Sequence, residues 1–270
     1  MSNVLIVVHP ERSEAIKLSN EFAQEAKKFG FEVFSNRPDL LPNSKEFPSS
    51  VVLDAVVVFG GDGTILRAAD LAKGTSAPII GINLGKVGFL AEINKPSISE
   101  LLKAIVEKKI VAEPRLTLEY KVIRDGKEIE KGWALNEIVI ERSETSMLEL
   151  FVQIDNRPLS RWGCDAVICA TPTGSTAYAF SAGGPVVWPE VDAMVLLPLA
   201  AHALFSDPMV VSPNSSVVVD IESQRAEVSA DGLRKFKLIE NDLILITKNN
   251  WKVNLWKFLI SMTSKNLVIF

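Results

Sequence analysis

The sequence predicts an α/β domain with a parallel sheet, followed by a β-rich, sandwich-like domain. Up to Pro114, short apolar runs alternate with segments of helical periodicity, as in a Rossmann-like parallel sheet covered on both faces. Beyond Pro114, apolar residues recur at every second position, as in strands with one buried face. A chain of 270 residues is long enough for two domains. We therefore expect domains at 1–112 with 251–270 and at 113–250.

The elements of the first domain each have a local pattern. A β-branched run at 4–8 predicts the first strand, and apolar residues at helical spacing before Gly30 predict a helix that ends there. The other elements are predicted in the same way, namely strands at 31–34, 55–59 and 78–82 and helices at 65–73 and 99–108. An apolar set near the end of the chain fits a helix or a strand that packs back on this domain: Trp256, Leu259 and Ile260.

The second domain is predicted to consist of strands joined by tight turns. Alternation over 116–122 before Asp125-Gly126 is typical of a β-hairpin. A second alternating run, from Leu148 to Ile154, is expected to be broken by Asn156-Arg157-Pro158. Cys164 and Cys169 stand in one strand-like run, so we expect them to face opposite sides as buried, reduced thiols. Further strands are predicted at 148–154, 167–170, 193–197, 217–221 and 243–247.

The charge balance and the lengths of the apolar stretches argue against nucleic-acid and membrane partners. The 29 basic and 33 acidic residues give a net charge of −4 without any block of like charges, so we expect no nucleic-acid partner. The longest apolar stretch, 193–205, contains Pro198 and His202 and is too short to cross a bilayer. With no recognisable signal sequence at the start of the chain, a cytoplasmic protein without a membrane partner is expected.

A glycine-rich loop, Gly60-Gly61-Asp62-Gly63-Thr64, stands between the predicted third strand and second helix. At this position backbone N–H groups and the helix dipole favour a phosphate. The spacing fits neither the dinucleotide fingerprint nor the P-loop. A carboxylate in such a loop repels phosphate unless Mg²⁺ lies between them or the carboxylate accepts a proton from an attacking hydroxyl, so Asp62 points to phosphoryl transfer. A tight Asp-Gly turn with Thr64 as helix N-cap explains the residues equally well.

Two further clusters are candidates for ligand binding. Hydroxyl-bearing and small residues at 171–178 follow a predicted strand and offer uncharged donors and acceptors to a ribose-like or adenosine-like ligand; a surface loop is the alternative. Asn136-Glu137 precedes an apolar strand, so one of the two faces whatever the sheet covers. Taken alone, a solvated strand residue is the favoured interpretation of Glu137. Asp165 has the same ambiguity.

In combination, these motifs resemble those of NAD kinases. The resemblance spans nearly the whole chain in order, over Gly60 to Thr64, Asn83-Leu84-Gly85-Lys86-Val87-Gly88-Phe89-Leu90, Asn136-Glu137, 171–178 and Ser181-Ala182-Gly183-Gly184. The first motif is shared with diacylglycerol kinases and phosphofructokinases, whereas 171–178 is specific. The resemblance implies transfer of the terminal phosphoryl group of ATP to the 2′-hydroxyl of the adenosine ribose of NAD, with Mg²⁺, giving NADP. Inorganic polyphosphate stays open as a second donor.

The resemblance also implies roles for individual residues. Asp62 would be the catalytic base or would organise the metal, without a fixed protein metal site, and Gly60, Gly61, Gly63 and Thr64 would form the phosphate loop. Asn136 and Glu137 would bind the sugars of NAD, and Asp165 its nicotinamide end. The complete implied NAD-binding set is Gly61, Asp62, Gly63, Phe89, Asn136, Glu137, Asp165, Thr176, Ala177, Tyr178 and Ser181. A homodimer or homotetramer is also implied.

Two other functions stay open at this point. A lipid or sugar kinase of the broader group would keep Asp62 but has no reason to carry the 171–178 segment. A non-catalytic NAD or NADP sensor would keep the pocket and lose turnover, which the intact Asp62 argues against. Assays with NAD, a lipid and a sugar phosphate, each with ATP and Mg²⁺, distinguish these functions.

Overall fold

A computed structural model of the chain describes residues 2–48, 50–84, 93–94, 97–109, 111–143, 146–203 and 205–257. The chain divides into two units, formed by 1–114 with 254–270 and by 115–253. The helices are α1 (Ser13–Lys28), α2 (Asp62–Leu71), α3 (Ile98–Val106) and α4 (Tyr178–Ser181), with a 3₁₀ turn at Gly174–Thr176. No helix in the described ranges is long and apolar enough to cross a membrane.

The strands are, in chain order, β1 (Ser2–Val8), β2 (Phe31–Ser35), β3 (Lys45–Glu46), β4 (Ala55–Phe59), β5 (Ile79–Asn83), β6 (Ile93–Asn94), β7 (Val111–Arg115), β8 (Leu118–Arg124), β9 (Lys127–Ala134), β10 (Glu137–Arg142), β11 (Leu148–Ile154), β12 (Arg157–Cys164), β13 (Ala166–Ala170), β14 (Met194–Leu199), β15 (Met209–Val211), β16 (Val217–Ile221), β17 (Arg225–Ala230), β18 (Arg234–Ile239), β19 (Leu243–Lys248) and β20 (Val253–Lys257).

The first unit is an α/β fold built on one sheet of order β3-β2-β1-β4-β5-β20-β7, with β6 beside β5. Strands β1 to β6 pair in parallel with their neighbours, and β20 joins β5 in parallel through Leu255 and Ile79. Every residue of β4 is buried, and Phe22 of α1 packs on Phe59 with ring centroids 5.7 Å apart. The predicted parallel sheet is therefore confirmed.

The predicted return of the chain end to the first unit is made by a strand. Trp256 of β20 belongs to the apolar core of this unit, which explains the apolar character of the segment. The other two members of the predicted apolar set, Leu259 and Ile260, lie outside the described residues.

The second unit is a sandwich of two six-stranded sheets, in the orders β15-β14-β13-β10-β17-β18 and β12-β11-β16-β19-β8-β9. Neighbouring strands pair antiparallel. One apolar core takes residues from both sheets, among them Tyr120, Ile138 and Val219. Asp125 and Gly126 have φ of 50° and 73°, as the predicted two-residue hairpin requires. The β-rich second half is confirmed.

Two local predictions are wrong in their bounds. Helix α2 begins at Asp62 instead of residue 65, because Gly61 is its N-cap and accepts hydrogen bonds from the N–H groups of Thr64 and Ile65. The expected break after residue 154 is present, but Asp155 and Asn156 make it, and Arg157 and Pro158 already belong to β12. Proline is tolerated there because β12 is an edge strand with a bulge opposite Val152 and Gln153.

The two cysteines are free and buried, as expected. The expectation that they stand in one strand and face opposite sides is wrong. Cys164 ends β12 and Cys169 lies in β13, so they do not share a strand. Both belong to the same core between the two sheets. Burial raises the pKa of each thiol to about 12, so both stay protonated at neutral pH.

Candidate active site

The Gly60–Thr64 loop connects β4 to α2 in the first unit. Asp62 is the first helical residue, which places its carboxylate in the first turn, where the helix dipole favours negative charge. A Cβ at Gly60 would lie 2.3 Å from Thr64 Oγ1, so the loop has no room for a side chain there. The turn interpretation is wrong, because Asp62 and Gly63 are helical and Gly61, instead of Thr64, is the N-cap.

The other candidates lie in the second unit, around the start of β10. Ile138 and Ile140 point into the core between the sheets, whereas Val139 packs on the opposite face against Ala179 of α4. Because side chains alternate along a strand, Glu137 shares the face of Val139. The backbone N–H of Tyr178 donates to the Glu137 carboxylate. Glu137 is only 8% exposed, so the solvated-strand interpretation is wrong.

The 171–178 segment packs directly on Asn136. The N–H of Thr171 donates to the Asn136 carbonyl at 2.8 Å, and the Thr171 hydroxyl donates to the Leu135 carbonyl at 2.6 Å. A Cβ at Gly174 would lie 2.1 Å from the Asn136 carbonyl oxygen. Two motifs that are well separated in sequence are therefore in van der Waals contact, and glycine is required at the contact.

Some hydroxyls of this segment hold the loop together. The Ser175 hydroxyl donates to the Pro172 carbonyl at 2.7 Å and accepts from the Val187 N–H at 2.9 Å. Thr171 and Ser175 are fully buried. The expectation that the hydroxyls of this cluster face a ligand is therefore wrong for these two residues.

A cavity of about 240 Å³ opens beside Glu137. Its lining combines carboxylates, a phenol and one ammonium group, and consists of Glu137, Val139, Glu141, Tyr178, Ser229, Asp231, Gly232 and Lys235. Among the described residues, Glu137 Oε2 and Asn136 Oδ1 are buried without a hydrogen-bond partner. Burial raises the pKa of Glu137 to about 8, and the negative charge of Asp231 adds to the effect. The site thus holds acceptors suited to the hydroxyl groups of a ligand.

Asp231 is a site residue that the sequence analysis missed. It stands in the turn between β17 and β18, with φ of 53°, followed by Gly232 with φ of 64°. Its carboxylate accepts the N–H groups of Leu135 at 2.9 Å and Asn136 at 2.7 Å. The Asp-Gly pair between alternating apolar residues is a hairpin signal that would have located the turn, although not its contact with Asn136.

The other predicted site residues differ in exposure and in their distance along the chain from the Glu137 cavity. Tyr178 and Ser181 are exposed on α4, whereas Thr176 and Ala177 are half-buried just before it. Asp165 lies between β12 and β13, with Oδ1 3.1 Å from Nε of Arg142. The structure therefore brings Asn136, Glu137 and Tyr178 together, while Asp165 stands at the other end of β13. Phe89 lies outside the described residues.

The described residues contain no group of three or more His, Cys, Asp or Glu side chains that would hold a metal ion. A metal at the Gly60–Thr64 loop would therefore meet one carboxylate of this loop, that of Asp62. Mg²⁺ is commonly bound through one or two carboxylates together with substrate phosphates and water. The residues present fit that mode of binding.

Comparison with known proteins identifies the family. The profile of the ATP-NAD kinase N-terminal domain matches residues 44–110, and that of the ATP-NAD kinase C-terminal domain matches residues 135–258. The chain belongs to the NAD kinase family. NAD kinases are phosphotransferases, so the family is one of enzymes, and membership decides against a lipid or sugar kinase of the broader group.

Curated relatives named NAD kinase come from several bacteria. The relative from Rhodococcus erythropolis is 41% identical over 259 residues, which cover 87% of this chain and 82% of the relative. The relative from Corynebacterium diphtheriae is 52% identical over 190 residues, covering 69% of this chain and 60% of the relative. The relative from Thermobifida fusca is 44% identical over 209 residues, which cover 75% of this chain and 64% of the relative. The matched part of the chain thus spans less than two thirds of two of these relatives.

Solved structures of NAD kinases share the fold. Yeast NADH kinase complexed with NADH superposes with a TM-score of 0.87 at 26% identity, over 96% of this chain and 84% of the yeast chain. The NAD kinase from Archaeoglobus fulgidus in complex with ATP has a TM-score of 0.72 at 31% identity, over 95% and 94% of the two chains. Both domains of the family architecture are therefore represented in this chain.

Proposed function

We propose that the protein phosphorylates NAD, transferring the terminal phosphoryl group of ATP to the 2′-hydroxyl of the adenosine ribose to give NADP. The observation that carries this proposal is the Glu137 carboxylate, which is 8% exposed, has no partner for Oε2 in the part of the chain that the structure describes, and lines a cavity. A buried acceptor of this kind suits a sugar hydroxyl. The yeast relative bound to NADH and the archaeal relative bound to ATP support the two substrates.

Recognition of NAD is assigned to the second unit. A ribose hydroxyl that donates to the ionised Glu137 carboxylate makes a charge-assisted hydrogen bond, which is stronger than one between neutral groups. Asn136 supplies a neighbouring amide, whose Oδ1 also lacks a partner among the described residues. Adenine or its ribose is assigned to the half-exposed segment beside them, through Thr176, Ala177, Tyr178 and Ser181. The resemblance adds Phe89 to this set and Asp165 at the nicotinamide end.

Phosphoryl transfer is assigned to the loop of the first unit. Gly60, Gly61, Gly63 and Thr64 form the phosphate loop, since backbone N–H groups at the start of α2 favour an anion. Asp62 accepts the proton of the 2′-hydroxyl or holds Mg²⁺ together with the donor phosphates. When bound, Mg²⁺ neutralises charge that develops on the transferred group.

The proposal also covers the domain bounds, the oligomeric state, the cellular location and the second phosphoryl donor. We assign domains to 1–112 with 251–270 and to 113–250, and the two units of the structure support boundaries near these positions. A homodimer or homotetramer, a cytoplasmic location and the use of inorganic polyphosphate as a second donor rest on the resemblance.

The test is a direct assay of purified protein with NAD, Mg²⁺ and either ATP or polyphosphate, with NADP measured as product. NADP formation with ATP is expected. 2′-Deoxy-NAD should not be phosphorylated, whereas 3′-deoxy-NAD should retain reaction, because the proposed acceptor is the 2′-hydroxyl. Absence of NADP with both donors, or phosphorylation of 2′-deoxy-NAD, would overturn the proposal.

A further inference from the structure

We propose that Asp231 is a positioning residue for NAD: its carboxylate fixes the backbone of residues 135–137 and so sets where the side chains of Asn136 and Glu137 point. Neither the sequence motifs nor the family comparisons assign a role to this residue. The inference rests on the proposed function, because it takes NAD as the ligand of Asn136 and Glu137.

The first part of the argument is the geometry around the Asp231 carboxylate. Oδ1 accepts the N–H of Asn136 at 2.7 Å and Oδ2 that of Leu135 at 2.9 Å, with a longer contact of 3.4 Å to the Glu137 N–H. Leu135, Asn136 and Glu137 are all buried. Buried N–H groups need partners, so Asp231 determines where this backbone lies and hence where the Asn136 and Glu137 side chains point.

The Asp231 side chain is itself held by Arg234. The guanidinium donates to Asp231 Oδ2 and to the Trp133 carbonyl, each at 2.9 Å. It also lies over the Trp133 ring, 4.6 Å from the centroid, and Trp133 packs edge-on against Trp251, with centroids 4.6 Å apart. The Asp231 carboxylate is therefore tied through Arg234 to Trp133, in addition to its contacts with the 135–137 backbone.

The second part of the argument is the set of charges that face Glu137. Its own strand contributes Glu141, α4 contributes the N–H and phenol of Tyr178, and the β17–β18 turn contributes Asp231. Strand β18 contributes Lys235, whose ammonium lies 2.6 Å from Glu227 and 3.5 Å from Glu141.

Burial is the main cause of the raised pKa of Glu137, and the negative charge of Asp231 raises it further. The raised pKa, about 8, leaves Glu137 largely protonated at neutral pH. NAD affinity should therefore increase as the pH rises through about 8, since the ionised carboxylate is the better acceptor.

The test compares Asp231→Asn with Asp242→Asn. Asp242 is a matched control, because it is also buried, accepts two hydrogen bonds from Arg124 at 2.7 Å each and accepts the Ile239 N–H at 2.9 Å, but is not among the lining residues of the cavity. NAD binding is measured by calorimetry across pH. In Asp231→Asn, the pH at which affinity reaches half its alkaline limit should move to lower pH, and the limit itself should weaken about tenfold. Asp242→Asn should leave both unchanged.

A second readout does not depend on NAD. The titration of the Glu137 carboxyl, followed by carbon-13 NMR and assigned with Glu137→Gln, should move to lower pH in Asp231→Asn. Arg234→Gln should move it to higher pH, because it removes the cation that offsets Asp231, and this variant tests the proposal if Asp231→Asn does not fold. An unchanged titration together with unchanged NAD affinity in folded Asp231→Asn overturns the inference. Wild-type protein that does not bind NAD overturns the proposed function instead, while the NMR titration still reports on Asp231.

Discussion

The buried carboxyl of Glu137 predicts a measurable dependence of stability on pH. Its folded-state pKa of about 8 lies above the ordinary value of 4.5, because burial and the charge of Asp231 disfavour ionisation. Below pH 4.5 the group is protonated in both the folded and the unfolded states, and its contribution to stability is fully present. As the pH rises from there to about 8, the unfolded chain ionises first and this contribution is lost.

Glu137→Gln removes the titration while nearly preserving shape, so the variant should gain stability relative to wild type as the pH rises. The difference in pKa between the two states corresponds to at most about 5 kcal/mol in the free energy of unfolding. Relaxation and water penetration reduce this figure, so we expect a relative gain of about 2 to 5 kcal/mol between the acidic and alkaline ends of the range. Most of it should arise between pH 4.5 and about 8.

Urea unfolding at a series of pH values, followed by tryptophan fluorescence, measures this gain. Four of the five tryptophans lie in the second unit, together with Glu137. Glu141→Gln is the matched control, because Glu141 lies on the same face of β10 but is half-buried and pairs with Lys235 at 3.5 Å. Parallel pH profiles for wild type and Glu137→Gln would refute the reasoning, and so would an equal gain in Glu141→Gln.

Three further results are expected. Asp62→Asn should lower kcat at least about a hundredfold, because the amide neither accepts the hydroxyl proton nor holds Mg²⁺ with full charge; calorimetry should find NAD binding retained, and turnover within a few-fold of wild type would contradict the assignment. Above pH 8, where the Glu137 carboxylate is ionised, Glu137→Gln should lower kcat/KM for NAD roughly tenfold to a hundredfold, mainly through KM, and an unchanged KM in steady-state assays there would remove Glu137 from the NAD site. Gly174→Ala should destabilise the fold by about 1 to 3 kcal/mol in urea unfolding, because the new methyl would lie 2.1 Å from the Asn136 carbonyl oxygen. Gly63→Ala should cost much less, because no atom of the described residues lies within 4 Å of the added methyl.

Much of the fold could be predicted from the sequence because its determinants are local. The continuous apolar runs of β1 and β4 have the pattern of buried parallel strands, and the alternation in β8 has that of a strand with one buried face. Asp125-Gly126 specifies its own hairpin through backbone conformation alone. Where the local signal is weak, prediction fails: α2 begins three residues early because Gly61 caps it without a side chain.

The candidate site could be predicted only in part. The resemblance brought Asn136, Glu137 and the 171–178 segment together as a list of motifs, but their contact through Gly174 depends on the pairing of β10 with β13. The burial that raises the pKa of Glu137 likewise comes from α4 covering the outer face of the sheet.

Asp231 marks the limit of what the sequence by itself determines about this protein. Periodicity, turn chemistry and motif order determine the strands, the hairpins and the family, since each acts over a few neighbouring residues. The hydrogen bond from Asn136 to Asp231 joins residues 95 positions apart, and no local pattern records such a pair. Only the tertiary structure decided this contact, because β17 is paired with β10 and carries the Asp231 turn to the start of that strand.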